Sequence, residues 1–110
     1  MVSKPAHYRR TVKSASPYFQ KKTQRKQPCQ IDLLIETKFT FYVCEIKFRK
    51  IISKKVISEV QEKIGRLKFP KGYTARPVLI YSGALASGVK EDGYFDKILD
   101  FDKLLTTSQD

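Results

Sequence analysis

Two apolar, β-prone segments on either side of Thr37-Lys38 constrain the fold of this chain more than any other feature. The first covers residues 29–36 and the second residues 39–48, and both are rich in β-branched and aromatic side chains. Two such runs separated by a short turn predict a tight β-hairpin. The centre of the fold is therefore expected to be a β-sheet.

The hairpin is expected to gather charged side chains on one face. Counting back from a turn at Thr37-Lys38 places Asp32 opposite Val43. Because side chains alternate along a strand, Asp32 would then share a face with Glu45 and Lys47. As diagonal cross-strand neighbours, the two carboxylates would be close enough to converge on one cation, which would relieve their repulsion.

Carboxylate oxygens are hard ligands that suit Mg²⁺ or Mn²⁺. Asp32 and Glu45 are therefore the candidate metal ligands, and such an ion would polarise a phosphate and activate a bound water. Lys47 lies two residues from Glu45 on the same strand and is expected to point the same way. The alternative for Glu45 and Lys47 is a simple ion pair along one strand.

Beyond these residues, an ordered set of motifs resembles the PD-(D/E)XK nuclease superfamily. It looks most like the nuclease-like domain at the C-terminus of many prokaryotic AAA-type ATPases, over about residues 18–105. The motifs that carry the resemblance are Gln30-Ile-Asp-Leu-Leu-Ile, Cys44-Glu-Ile-Lys-Phe, Glu59-Val-Gln-Glu-Lys-Ile, Pro77-Val-Leu-Ile-Tyr, Tyr94-Phe and Ile98-Leu-Asp-Phe.

The resemblance implies a restriction-endonuclease-like fold and a Mg²⁺-dependent phosphodiesterase that cleaves DNA, with branched DNA among the candidate substrates. It implies Asp32, Glu45 and Lys47 as catalytic residues, and it implies that the Lys47 ammonium would orient the attacking water and stabilise the charged transition state. Gln61 matches a helix glutamine found in several branches of the superfamily, and the alternative is a glutamine satisfied by backbone or water. Gln30 is expected to face Glu45 and to act as a donor beside the site.

One departure from the family pattern keeps a second function open. Many such nucleases carry a further acidic ligand on a helix before the first strand, whereas no acidic residue precedes Asp32 here. Either that ligand is dispensable or the chain is a separated fragment. The alternative function is a non-catalytic module that binds nucleic acid or protein for an ATPase partner. The chain has no phosphate-binding Gly-Lys-Ser/Thr loop, so we do not expect it to hydrolyse ATP itself.

The net charge of +11 is concentrated at the start of the chain. Eight basic residues and no acidic residue precede Asp32: Lys4, Arg9, Arg10, Lys13, Lys21, Lys22, Arg25 and Lys26. Such a block favours salt-dependent binding to nucleic acid, with a solvated basic tail as the alternative. DNA is the favoured partner, and a homodimer remains open.

A helical pattern follows the hairpin. Ser53 is expected to cap a helix that reaches about Lys68. Apolar residues recur at helical spacing and predict its buried stripe: Val56, Ile57, Val60, Ile64 and Leu67. Two i,i+4 ion pairs are expected on its wet side: Glu59 with Lys63, and Glu62 with Arg66.

The remaining pattern completes an α/β domain with a mixed sheet flanked by helices. It predicts an edge strand from Tyr18 to about Lys22, a strand over 77–82, a loop up to Gly93, a strand over 95–99 and a helix over 101–105. Residues 17–110 are expected to form this domain, preceded by a basic mobile tail over 1–16.

Composition bears on the compartment. No apolar stretch is long enough for a transmembrane helix, and the N-terminus has no apolar core of the signal-peptide kind. A cytoplasmic location is therefore expected. For the two cysteines, Cys29 and Cys44, reduced and packed thiols are favoured over a disulfide.

Overall fold

The structure, a computed structural model, describes residues 11–107. Its strands are β1 (Ser14–Gln20), β2 (Cys29–Thr37), β3 (Thr40–Ile52), β4 (Thr74–Leu85) and β5 (Lys97–Asp100). Its helices are α1 (Lys55–Gly65), between β3 and β4, and α2 (Phe101–Thr107), after β5. The five strands form one sheet in the order β1-β2-β3-β4-β5. The expected α/β class with a mixed sheet is confirmed.

The sheet changes direction at its centre. β1, β2 and β3 form an antiparallel meander, whereas β4 runs parallel to β3 and β5 runs parallel to β4. A parallel neighbour needs a crossover connection, and α1 supplies it between β3 and β4. As a result, the central strand β3 has β2 on one side and β4 on the other.

Helix α1 packs its apolar stripe on one face of the sheet. Val56, Ile57 and Val60 are buried and pack in one cluster with Leu79 of β4, as the helical spacing predicts. The helix begins at Lys55, two residues after the expected cap Ser53, whose Oγ accepts a hydrogen bond from the Lys55 amide at 3.2 Å. Ser53 therefore satisfies one of the early amides that a helix leaves unpaired.

Helix α2 contacts the opposite face. Phe101 of α2 packs against Phe48 of β3 with their ring centroids 5.2 Å apart. Ser82 of β4 donates a hydrogen bond to Asp102 at 3.0 Å. The sheet is thus flanked by a helix on each side, with α1 over the main core.

The hairpin turn falls one residue later than predicted, at Lys38-Phe39. The strands pair Thr37 with Thr40 and Leu34 with Val43, so the expected pairing of Asp32 with Val43 is wrong. Phe39 adopts a φ of +64°, which is costly for a residue with a side chain. Two contacts offset that cost. The Phe39 ring packs edge-on against Tyr73 at 5.9 Å, and its carbonyl accepts a hydrogen bond from the Thr74 amide at 2.9 Å.

Two predicted boundaries also shift. β1 begins at Ser14, so residues 14–16 belong to a strand rather than to the predicted tail, of which residues 1–10 lie outside the described part. β4 continues to Leu85 through Gly83, which was predicted to lie in a loop. Gly83 has a φ of +120°, and a Cβ there would lie 1.6 Å from the carbonyl oxygen of Arg49, so only glycine fits.

Two further expectations concern location and thiols. Within residues 11–107, neither helix is long and apolar enough to cross a membrane. Cys29 and Cys44 are both buried and free, as predicted. In the observed register Cys44 pairs with Leu33, not with Ile31 as the predicted register requires.

Burial of Cys44 leads to a prediction about alkaline stability. Burial raises the pKa of its thiol from 9.0 to about 11. Between these pH values the unfolded chain loses the proton and the folded chain keeps it, so stability falls as pH rises. At about 1.4 kcal/mol per pKa unit, the shift corresponds to at most about 3 kcal/mol over the full titration, of which roughly 2 kcal/mol is lost within this window. Denaturant unfolding across this window should show a steeper loss for the wild type than for Cys44→Ala. Parallel losses in the two proteins would contradict the assignment.

Candidate functional site

Asp32 lies in a β-bulge of β2 opposite Pro17. β1 pairs Ser16 with Leu34 and Tyr18 with Ile31, so two residues of β2 lie opposite Pro17 alone. Proline lacks the amide that a regular ladder requires, and it is tolerated on edge strands and at bulges. A bulge re-aims the side chains beside it. The local sequence therefore gives Asp32 an orientation that simple alternation does not predict.

The carboxylate of Asp32 reaches the neighbouring strand. Its Oδ2 accepts a hydrogen bond from the backbone amide of Ile46 on β3 at 2.8 Å. The paired register of β2 and β3 ends at Leu33 and Cys44, immediately before this contact. A side-chain oxygen thus replaces a backbone carbonyl at the point where the ladder ends, and it places an acidic group beside the residue that follows Glu45.

Glu45 is a carboxylate buried beneath α1. It lies on β3 and its side chain is only 6% exposed. Lys63 of α1 approaches both of its oxygens, with Nζ 2.9 Å from Oε1 and 3.2 Å from Oε2. Burying a carboxylate is costly unless a cation and hydrogen bonds compensate it. Lys63 supplies that compensation from the helix.

Lys47 extends this contact into a chain of alternating charges. Its Nζ lies 3.4 Å from Oε2 of Glu45 and 3.3 Å from Oε1 of Glu59 on α1. Glu45 and Lys47 are two residues apart on β3, so they face the same side of the sheet, as predicted. We call Glu45, Lys47, Glu59 and Lys63 the charged cluster. It contains two anions and two cations.

The i,i+4 pairs predicted for α1 are realised only in part. Glu62 and Arg66 form the expected pair. The expected pair of Glu59 with Lys63 is wrong, because each side chain turns instead to a group of opposite charge on β3. The buried carboxylate of Glu45 attracts Lys63 more strongly than an exposed neighbour can, since solvent screens exposed pairs. Lys63 and Glu59 are the residues of the site that sequence reasoning missed.

A cleft of about 310 Å³ opens beside the charged cluster, with Cys29, Lys63 and Arg66 among its lining residues. The Cys29 thiol donates a hydrogen bond to the Lys63 carbonyl at 3.5 Å. Burial raises the pKa of Cys29, and the nearby charges of Lys63 and Arg66 offset part of the rise. The Cys29 side chain is buried and packs with Ile31 and Val43.

The two predicted glutamines do not join the cluster. Gln61 is exposed. At about 100° per residue along a helix, it lies roughly 160° around α1 from Lys63. Gln30 is exposed as well and pairs with Phe19 of β1, beyond the end of the β2–β3 ladder. The expectation that Gln30 faces Glu45 is wrong, because the bulge and the shifted turn change the register on which it depended.

The donor chemistry of Asp32 and Glu45 suits a hard divalent cation. Their hydrogen bonds differ, however: Asp32 engages one oxygen with the Ile46 amide, and Glu45 engages both with Lys63. Within residues 11–107, no group of three or more His, Cys, Asp or Glu side chains is arranged to hold an ion. A metal at this site would thus depend on two carboxylates and would compete with Lys63 for Glu45.

Comparison with protein-family models, with curated proteins and with solved structures finds no match to this chain. The site combines a buried acid, a lysine two residues along the same strand, and a second acid docked on the adjacent strand.

The Lys63 contact should carry measurable stability. Lys63→Met keeps the length and apolar stem of the side chain but leaves Glu45 with Lys47 alone. Hydrogen bonds to charged groups contribute about 1.5–3 kcal/mol, so the free energy of unfolding should fall by about that amount. The matched control is Glu62→Gln, which breaks the exposed Glu62–Arg66 pair and should cost less than about 1 kcal/mol.

Urea denaturation of both variants checks this prediction. A double-mutant cycle with Glu45→Gln should return a coupling energy in the range of about 0.5–3 kcal/mol for residues in one network. Equal costs for Lys63→Met and Glu62→Gln would show that the buried pair contributes no more than a surface pair.

Proposed function

We propose that this chain is a restriction-endonuclease-like phosphodiesterase that acts on DNA and depends on Mg²⁺ or Mn²⁺. The observation that carries the proposal is the buried Glu45 carboxylate with Lys47 beside it, at the point where Asp32 reaches across from β2. The antiparallel meander, the crossover helix and the parallel strand supply the mixed sheet that such a fold requires.

In this proposal Asp32 and Glu45 would hold the ion, which when bound would polarise the scissile phosphate and lower the pKa of a water. Both carboxylates are anchored before the ion arrives. Asp32 is fixed by the Ile46 amide, and Glu45 by the contact of its Oε2 with Lys47. Such preorganisation reduces the entropy that ordering the ligands would cost.

Lys47 is the residue proposed to act on the reacting phosphate. Hydrolysis forms a bond from a water oxygen to phosphorus and breaks the bond to a sugar oxygen, and negative charge builds up on the phosphate. The ammonium of Lys47 can donate hydrogen bonds to that charge. Its contact with Glu59 of α1 fixes the position of its ammonium group, so Glu59 is proposed as a positioning residue.

A second function is favoured by the pairing of Lys63 with both oxygens of Glu45. In this alternative the charged cluster is a structural ion network. The chain is then a non-catalytic module that binds nucleic acid or protein for an AAA-type ATPase partner. The two functions differ in one measurable property, which is whether a divalent ion displaces Lys63 from Glu45.

Cleavage assays on branched and linear DNA test the first proposal. With Mg²⁺ or Mn²⁺ the wild type should cut, and Glu45→Gln should lose activity because a carboxylate ligand is gone. Lys47→Ala should also lose cleavage, by about a hundredfold or more if it supplies one electrostatic contact to the transition state. The matched control is Lys97→Ala, which removes an exposed lysine at the far edge of the sheet and should keep full activity. Absence of cleavage on both substrates favours the non-catalytic module.

Metal binding can be measured separately from cleavage. An ion that binds only the folded chain should stabilise it by about 2.7 kcal/mol at a hundred times its dissociation constant. Asp32→Asn should remove this stabilisation, whereas Lys63→Met should strengthen it because a competitor for Glu45 is gone. Asp92→Asn, at an exposed ion pair with Lys54, is the matched control and should behave like the wild type. Thermal unfolding with and without Mn²⁺ measures this stabilisation. A melting temperature that does not change when Mn²⁺ is added would contradict a metal site.

A further inference from the structure

A cationic cleft lies at the C-terminal end of α1. It is enclosed by the C-terminal end of α1 and the loop between β1 and β2, and it has a volume of about 200 Å³. We call it the loop cleft. Four basic side chains line it: Arg25, Lys26, Arg66 and Lys68.

The charge of the loop cleft is largely uncompensated. Of its four cations, Arg66 pairs with Glu62. Across the described residues 11–107, no carboxylate forms an ion pair with Arg25, Lys26 or Lys68. Like charges held close together without a counter-charge attract an anion.

Hydrogen bonds connect the loop between β1 and β2 to the C-terminal end of α1. Gln20 is 5% exposed, and its Nε2 donates hydrogen bonds to the carbonyls of Gln27 at 2.7 Å and Arg66 at 2.9 Å. Arg66 Nη1 donates in turn to the carbonyl of Pro28 at 2.9 Å. Carbonyl oxygens at the end of a helix normally repel an anion. Here the Arg66 carbonyl at the end of α1 accepts a hydrogen bond from Gln20, which reduces that repulsion.

A tight turn inside the loop fixes the backbone positions of two of the cationic residues, Arg25 and Lys26. Thr23 Oγ1 accepts hydrogen bonds from the backbone amides of Arg25 at 3.2 Å and Lys26 at 3.0 Å. The Thr23 amide donates to the Lys26 carbonyl at 2.9 Å. Because these bonds use the backbone of Arg25 and Lys26, both side chains remain available and can be replaced without removing the turn.

We propose that the loop cleft binds a backbone phosphate of a nucleic-acid strand. Its chemistry fits a phosphodiester: several cations, no lining carboxylate, and a preformed backbone. The loop cleft also adjoins the cleft beside the charged cluster, since Arg66 lines both and Lys63 lines the second. Cationic side chains thus continue from the loop to Glu45. A strand can follow this line, whereas a free phosphate would occupy one end of it.

The continuation toward Glu45 rests on the proposed nuclease function, but binding in the loop cleft does not. Binding is measured with a fluorescently labelled single-stranded oligonucleotide in EDTA, where no cleavage takes place. The test variant is the full chain with Arg25→Ala, Lys26→Ala and Lys68→Ala. The matched control carries Lys55→Ala, Lys90→Ala and Lys97→Ala, which removes the same charge at exposed positions that do not line the loop cleft.

The readout is the slope of log affinity against log salt from fluorescence anisotropy. Each phosphate contact on a single strand contributes about 0.7 to this slope, so the test variant should lose up to about 2 while the control keeps the wild-type slope. Because binding is measured in EDTA, where no cleavage takes place, failure of cleavage and failure of binding are distinguishable. Equal slopes in the test and control variants would overturn the proposal.

Inorganic phosphate, compared with chloride at equal ionic strength, distinguishes a strand from a small anion. A nucleic-acid site predicts that the two salts compete equally with the oligonucleotide. If phosphate displaces it far more effectively than chloride, and the test variant loses that difference, then the cleft is a small-anion site and the proposal of a nucleic-acid strand is wrong.

Discussion

The burial of one carboxylate governs the arrangement around it. Among the described residues, Glu45 is the one charged residue that is buried, and it lies on the central strand under α1. An unpaired carboxylate in that position would destabilise the fold by several kcal/mol. The structure meets this demand with Lys63 from the helix and Lys47 from the same strand. The helix is therefore tied to the sheet by charge as well as by its apolar stripe.

Much of the fold could be predicted because its signals are local. The hairpin, the helical stripe of α1 and the apolar run in β4 each depend on periodicity within a short window. The turn position did not follow from such signals, because Phe39 adopts its positive φ only with the help of Tyr73 and Thr74, which lie far along the chain. The extension of β4 through Gly83 likewise depends on a close approach to Arg49 that no local pattern reveals.

The candidate site was predicted in part for the same reason. Alternation along β3 places Glu45 and Lys47 together, because two residues on one regular strand always share a face. Asp32 could not be placed by alternation, since the bulge opposite Pro17 redirects its strand. Pro17 within a β-prone segment was the available signal, because proline in a strand often marks a bulge. Lys63 had no comparable signal, since its pattern fits a surface i,i+4 pair equally well.

Whether Asp32 and Glu45 hold one ion is the central question, and a titration with paramagnetic Mn²⁺ addresses it most directly. Mn²⁺ broadens the amide NMR signals of nearby residues with a steep dependence on distance. We predict that the signals of Asp32, Glu45, Ile46 and Lys63 broaden first, at Mn²⁺ concentrations well below that of the protein. Broadening that begins instead at exposed carboxylates such as Glu91 and Asp92, or that is absent, would contradict a metal site at Glu45.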